Sequence, residues 1–390
     1  MKEGYLRLGD VCEVQNGFAF DSKFFSTNKE SGMPLIRIRD ILKGHSCTYY
    51  TSSYQEEYIV HKGEFLIGMD GDFNIGQWQS EDALLNQRVC RLLPSDKIIP
   101  KFIFYFIPTA LQKINAETSY ATVKHLSSRQ IKEILIPNIS LTEQQRIVAL
   151  LDAEFAKIDA LKANAEKNLQ NAKDLFQAAL KKELEPKEGW QKKTIKDVCS
   201  IFGRIGYRGY TRNDLVDNAE EGAITLSPSN IVDNEMVYDK VTYISWFKYE
   251  ESPEIMIFDD DILLVKTGSS YGKCALVKNL PHKATINPQF VVLKNININR
   301  CFLNYYLRTP YSKARFDEFV SGTAIPTFSQ ANLGNMSISF PSIKEQQSIV
   351  SHLDTLNEKC KTLQANYEKT LSLCDDLKQA LLRKAFNGEL

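Results

Sequence analysis

The sequence predicts a mixed α/β protein written twice. Two α/β domains are each followed by a long helix, and the two helices pair as an antiparallel coiled coil about an internal pseudo-two-fold axis. Three observations predict it. The stretch EQQRIVALLD at Glu143–Asp152 returns as EQQSIVSHLD at Glu345–Asp354, 202 residues later. The residues after each copy carry apolar side chains at steps of three and four, the spacing of one helix face. The segments ahead of each copy are β-rich, broken by Gly, Asn and Pro turns, and match one another in order. The expected boundaries are 1–142 and 185–341 for the domains, and 143–184 and 342–390 for the helices.

The repeat itself is ungapped. Laid over each other, Glu143–Leu184 and Glu345–Phe386 share Ile147/Ile349, Leu151/Leu353, Leu161/Leu363, Asn164/Asn366, Leu175/Leu377 and Leu180/Leu382. So long a match is the mark of internal duplication. The apolar stripe runs through Val148, Leu151, Phe155, Ile158, Leu161 and Ala165 in the first copy, and through Leu353, Leu356, Cys360, Leu363 and Leu377 in the second. It is narrow enough for a coiled-coil seam. Thr142 with Gln145, and Ser342 with Glu345, have capping-box spacing. Pro186 stops the first helix, and Asn387-Gly388 can cap the second. At ~1.5 Å per residue each helix is about 60 Å long, and such a rod needs a partner.

The domains match more faintly. GDVCEV (Gly9–Val14) parallels KDVCSI (Lys196–Ile201), and GEFLIGMDGDFNIGQW (Gly63–Trp78) stands where DDILLVKTGSSYGKCALV (Asp260–Val277) stands later. LLNQRVCRL (Leu84–Leu92) parallels TINPQFVVL (Thr285–Leu293), and HLSSRQI (His125–Ile131) parallels TFSQANL (Thr327–Leu333). A shared framework with divergent loops suggests two versions of one task.

Composition narrows the class. The 390 residues hold 48 Lys+Arg and 48 Asp+Glu, so no broad polybasic surface is expected, although a local basic groove is compatible with that balance. No apolar run approaches the ~18 residues of a membrane span, and the opening MKEGYLRLGD lacks the apolar core of a signal peptide. Eight cysteines without a CxxC pair and five unclustered histidines argue for reduced thiols in a cytoplasmic protein, with no zinc site.

These features together resemble the specificity (S) subunit of type I restriction–modification enzymes. The resemblance covers the whole chain. It rests on a strand ending in Pro137 followed by SLTEQQRIVALLD, its counterpart SFPSIKEQQSIVSHLD around Pro341, and the IGMDGDFNIGQW…LLNQRVCRL run. It implies two target-recognition domains that each read one half of a bipartite double-stranded DNA site, with the helices setting the gap. It also implies two methyltransferase (M) subunits as partners, joined by restriction (R) subunits in the nuclease form. Cofactors would then belong to the partners: S-adenosylmethionine for methylation, ATP and Mg for restriction, and none in this chain.

Independent chemistry is not encoded. NPQF (Asn287–Phe290) departs from the adenine-methyltransferase motif at Gln289, lacks a cofactor loop before it, and is paralleled by NQRV in the first domain. GSSYGKC (Gly268–Cys274) is one residue short of a P-loop and ends in Cys where Ser or Thr must hold magnesium. Asp259–Asp261 reads as a solvated turn before an apolar strand. No nucleophile, base and orienting group assemble.

Candidate DNA-gripping residues fall in both domains. Between Gln191 and Arg212 six basic residues face one acidic one, and Arg204, Arg208 and Arg212 alternate with Tyr207 and Tyr210 amid three glycines. That composition predicts a basic loop suited to phosphates or to guanine edges. Lys266, Thr267, Ser269, Tyr271 and Lys273 form a second polar loop, with Asp72, Asn74, Gln77 and Trp78 as first-domain counterparts. Arg37 and Arg39 in LIRIRD alternate as on one face of a strand. Phe18 and Trp78 suit either a DNA contact or the core. A second reading, a coiled-coil adaptor whose lobes bind proteins, is favoured by the neutral net charge and opposed by the basic loop. DNA binding that weakens steeply with salt separates the two.

Overall fold

The computed structural model describes residues 4–117, 124–321 and 325–390. The first three residues of MKEGYLRLGD therefore lie outside the described residues. The chain forms two compact units: Met1–Ala165 with Lys369–Leu390, and Glu166–Glu368. Each unit thus contains one domain, part of its own long helix and part of the other long helix.

In the first unit, four antiparallel strands run in the order Cys12–Asn16, Val89–Pro94, Phe65–Gly68, Ile75–Gln77. A five-stranded sheet follows the order Phe25–Ser26, Tyr49–Tyr50, Met33–Ile36, Ala83–Leu85, Ile59–Val60, with one parallel pairing, Leu35 opposite Leu84. In the second unit the corresponding sheets run Ser200–Phe202, Phe290–Lys294, Ile262–Val265, Cys274–Leu276, and Leu215–Val216, Thr242–Ser245, Gly222–Leu226, Ala284–Ile286, Met256–Ile257. Its single parallel pairing sets Thr225 opposite Thr285. The order and the parallel step are both reproduced, so the faint sequence match of the domains reflects a shared topology.

Core packing follows the same duplicated plan. In the first unit Ile36, Leu66, Trp78 and Val89 fill the space between the sheets, while Phe102, Ile107, Ile147, Leu151 and Ala385 join domain to helices. In the second, Ile224, Leu263, Phe290 and Val292 pack between the sheets, and Phe302, Tyr306, Phe176, Leu180 and Leu353 form the helix-side core.

The repeated EQQ opening has a structural cause. The long helices span Leu141–Glu183 and Ile343–Asn387. At the start of the first, buried Gln144 accepts from the Ile99 backbone N–H at 2.8 Å and donates to the Ile139 carbonyl at 3.0 Å. Gln346 does the same for Asn299 N–H (2.9 Å) and the Pro341 carbonyl (2.8 Å). Two turns on, Tyr105 donates to Asp152 and Tyr305 to Asp354. Burial first, and then the carboxylate, push both phenols well above their ordinary range. The first helix is capped by Ser140, whose Oγ accepts from Glu143 N–H at 3.2 Å, two residues before the expected Thr142. Ser342 caps the second as expected, 3.4 Å from Glu345 N–H.

The two helices run antiparallel within each unit. Lys162 pairs with Asp375 (2.8 Å) and Lys378 with Asp159 in the first unit, and His352 approaches Glu183 at 3.4 Å in the second. The seam is narrower than the sequence stripe. Leu161, Leu363 and Leu377 are 56, 40 and 48 % exposed, while Ala165, Ala172 and Cys360 are buried. At these points of the stripe the small residues are the buried ones, and these three bulkier leucines stay substantially exposed. Asp261 also departs from the solvated turn expected of the acidic run: it is buried and bridged to Lys294 at 2.6 Å.

Candidate nucleic-acid interface

Three short connections meet at one end of the sheets in the first unit. The turn Arg37–Asp40 follows strand Met33–Ile36, the hairpin tip Met69–Asn74 follows Phe65–Gly68, and Asn86–Arg88 joins Ala83–Leu85 to Val89–Pro94. Arg37 and Arg39 are exposed, but they sit at the start and within a 3-10 turn; the strand expected to align them ends at Ile36. They nonetheless share one concavity of about 450 Å³ with Phe20, Asn86, Gln87 and Arg88. Asn74 lies at the neighbouring hairpin tip, donating to the Asp72 carbonyl at 3.1 Å, with its Oδ1 buried and unpartnered.

Other first-domain candidates are placed differently. Trp78 is fully buried, and its indole N–H donates to the Glu81 carbonyl at 2.7 Å, so it belongs to the core between the sheets. Gln77 pairs in register with Phe65, at the end of the hairpin away from Asp72 and Asn74, and donates to Gly63 O at 3.0 Å. Phe18 is 44 % exposed and packs against Phe20 and Tyr58 at ring distances of 5.1 and 5.2 Å.

The second unit repeats the constellation with different side chains. Its turn Ser227–Asn230, hairpin tip Lys266–Lys273 and connection Asn287–Gln289 occupy the same places in the topology. Within the basic stretch, Gln191–Thr194 and Ser200–Phe202 are strands and Ile195–Val198 is a helical turn, so the loop is confined to Gly203–Thr211 and includes a 3-10 turn at Gly206–Arg208. Arg204 points inward. It is 6 % exposed and donates to Ile286 O (3.1 Å), Thr285 Oγ1 (3.1 Å) and Arg208 O (3.3 Å), with Tyr210 stacked on its guanidinium. Burial lowers the proton affinity of this group. Arg204 therefore braces the loop and is withdrawn from the exposed set.

Arg208 is held by Glu254 at 3.1 Å, beside an 80 % exposed Tyr207, and Arg212 is exposed. Tyr210 accepts from Thr225 Oγ1 at 3.2 Å. On the hairpin tip, Thr267 meets Thr327 at 2.8 Å, Tyr271 donates to Asp317 at 2.7 Å, and Lys273 donates to Ile231 O at 2.8 Å. Ser269 is exposed, and Lys266 makes no ion pair among the described residues. Both domains thus present a rigid platform of three connections carrying Arg, Lys, Asn, Gln and Ser side chains. Such groups can bind phosphates and read base edges. No cluster of three metal-ligating side chains occurs among the described residues, nor is any described helix long and apolar enough to cross a membrane.

An α/β domain repeated twice, each copy with a polar platform and a long helix, defines a duplicated-domain architecture. The model of the type I restriction modification DNA specificity domain matches the chain twice, at residues 4–171 and 187–372, and the chain belongs to that family. It is 32 % identical over 420 residues to the type I restriction enzyme EcoBI specificity subunit of Escherichia coli, covering 100 % of this chain and 86 % of the relative. The EcoKI specificity subunit of Escherichia coli K12 is 23 % identical, with 77 % of this chain and 68 % of the relative covered. Among solved structures, a chain from a study of complex assembly and conformational transition of the type I R-M system has a TM-score of 0.73 at 18 % identity, covering 99 and 98 % of the two chains. The HsdS subunit from Thermoanaerobacter tengcongensis gives 0.55 at 18 %, covering 100 and 98 %.

Proposed function

We propose that residues 1–142 and 185–341 are target-recognition domains, each reading one half of a bipartite double-stranded DNA site, and that the helices 143–184 and 342–390 set the unread gap. The observation that carries this reading is the duplicated platform. Its backbone plan is common to both domains, while its polar side chains differ: Arg37, Arg39 and Arg88 in one, Ser227, Ser229 and Gln289 in the other. A fixed scaffold with different hydrogen-bonding groups suits two different half-site sequences. Specificity subunits serve type I restriction–modification complexes, and two methyltransferase subunits are the partners this chain would dock. Exposed leucines at equivalent points of the repeat, Leu161 with Leu363 and Leu175 with Leu377, suit two copies of one partner. The chain itself supplies recognition and no chemistry. S-adenosylmethionine would be held by the methyltransferase subunits, and ATP and Mg by restriction subunits.

The test is DNA binding by the chain assembled with its cognate methyltransferase, measured across salt concentrations and followed by mapping of the methylated motif. A two-part motif and a steep linear fall of log affinity with log salt are expected. Affinity insensitive to salt, with no methylated motif, would favour the protein-binding adaptor instead.

A further inference from the structure

The connection Asn86–Arg88, which parallels Asn287–Gln289 of the second domain, carries several features that a plain turn does not need. Its backbone is anchored on every side. Gln87 N–H donates to Phe18 O (2.7 Å), Val89 N–H to Asn86 O (3.2 Å), and Arg88 O accepts from Met69 N–H (2.9 Å). The neighbouring Gly17 lies so close that a Cβ there would stand 2.1 Å from Asn86 O. On this fixed turn Arg88 adopts φ 74°, a conformation disfavoured for a long side chain, and it is the one non-glycine residue to do so among those described in the first unit. An outlier held by its surroundings points to a functional constraint.

The guanidinium of Arg88 is both aimed and available. Its Nη1 donates to Asp70 at 3.2 Å, Asp70 is in turn 2.6 Å from His125 Nδ1, and the arginine side chain remains 53 % exposed. It shares its concavity with Arg37, Arg39 and Asn86, whose Oδ1 is buried without a partner while the residue is only 9 % exposed. The second domain keeps the hydrogen bonds of this turn, although Gln289 does not share the positive φ of Arg88. Phe290 N–H donates to Asn287 O (3.2 Å), and Lys266 N–H donates to Gln289 O (2.8 Å), so Gln289 occupies the position of Arg88. Asn287 Nδ2 donates to Gln289 Oε1 at 3.0 Å and orients that amide.

We infer that Arg88 and Gln289 are the paired specificity-determining residues of the two domains, each reading one base pair of its half-site. Both belong to the classes that make bidentate base contacts: arginine with guanine O6 and N7, glutamine with adenine N6 and N7. Asp70 and Asn287 are positioning residues that hold the fork and the amide in register. The inference rests on the DNA-reading function proposed above and names residues that carry it.

The experiment uses the full chain in complex with its cognate methyltransferase subunits and maps methylated motifs for wild type, R88K, R88G and Q289A. The wild-type arm tests the proposed function by itself: absence of a bipartite motif there overturns that function whatever the variants do. Lysine retains the charge and the Asp70 pair but loses the planar fork. R88K should therefore lose discrimination at one position of one half-site by roughly 5- to 150-fold while its salt slope stays unchanged. Glycine accepts positive φ without strain, so R88G should stay folded and relax the same position. Q289A should relax one position in the other half-site. A wild-type-like motif in R88K and R88G, or a uniform loss over all positions, would show a phosphate or purely structural role and overturn the inference.

Discussion

Substituting Gln346 by alanine isolates what the repeated EQQ motif does. The side chain is buried and spans two backbone groups, accepting from Asn299 N–H and donating to the Pro341 carbonyl. Alanine leaves the buried Pro341 carbonyl and the half-buried Asn299 N–H without this partner. Each unsatisfied buried group costs about 1–3 kcal/mol, so the pair costs about 2–6 kcal/mol, to which the vacated volume adds. Gln347, the next residue, is exposed and makes no comparable bridge, so Q347A should stay within about 0.5 kcal/mol of wild type. Urea unfolding followed by tryptophan fluorescence measures the difference, because Trp190 and Trp246 both report on the second unit. For a slope of about 2–3 kcal/mol/M the midpoint of that unit should fall by about 1 M or more in Q346A alone. Q144A should act on the first unit in the same way. Equal losses in Q346A and Q347A would refute the reasoning, since the motif would then owe its repetition to something other than the bridge.

Four further outcomes are expected. The purified chain alone should neither methylate nor cleave DNA; radiolabelled methyl transfer from S-adenosylmethionine by a homogeneous sample would contradict this. Arg208→Ala with Lys266→Ala should reduce the log–log salt slope of DNA binding by up to about two units, with the smaller share from Arg208 because Glu254 already holds it; an unchanged slope removes both from the interface. Inserting four helix-forming residues in each long helix at the unit boundaries, after Ala165 and after Glu368, adds about 6 Å and about 40°, and should lengthen the unread gap in the methylated motif by one or two base pairs while sparing both half-sites; an unchanged gap in an active complex denies the helices that role. Burial pushes the Cys90 and Cys274 thiols from the ordinary 9 up to about 12, so the folded state retains their protons and stability should fall as pH rises from 9 towards 12; at neutral pH a thiol reagent should label exposed Cys47 well before either, and simultaneous labelling would contradict the burial.

What the sequence disclosed and what it concealed have separate physical causes. The duplication was legible at the helix openings because Gln144 and Gln346, like Asp152 and Asp354, fasten each helix to its domain through geometry that tolerates little change. The loops are held by different side chains in the two domains, and only their order along the chain revealed the common topology. Charge showed where basic side chains concentrate but not which way they face. Arg204 carries the same charge as Arg212, yet it is turned inward by the carbonyl of Ile286 and the hydroxyl of Thr285, contacts some eighty residues away in sequence. Trp78 was drawn into the candidate site by its neighbours Asn74 and Gln77, whereas strand alternation placed its ring in the core. Arg88 was passed over because its alignment with Gln289 looked like framework. The available signal was the opposite one: a framework position whose residue type changes between the repeats.

The division of the chain into units has a consequence for its synthesis. The second unit is a single continuous stretch, Glu166–Glu368, whereas the first needs Lys369–Leu390 to supply Ala385, Leu382 and Phe386 to its core. A ribosome therefore delivers every residue of the second unit before it releases the last pieces of the first. The first domain waits, with Ile147, Leu151 and Phe102 lacking part of their cover until Lys369–Leu390 has been made. Vectorial folding would complete the later domain first, and the nascent first domain would be the natural client of a chaperone. A premature stop codon soon after Glu368 would leave the second unit whole and take Ala385, Leu382 and Phe386 from the first, so damage late in the message would be felt by the domain encoded early in it.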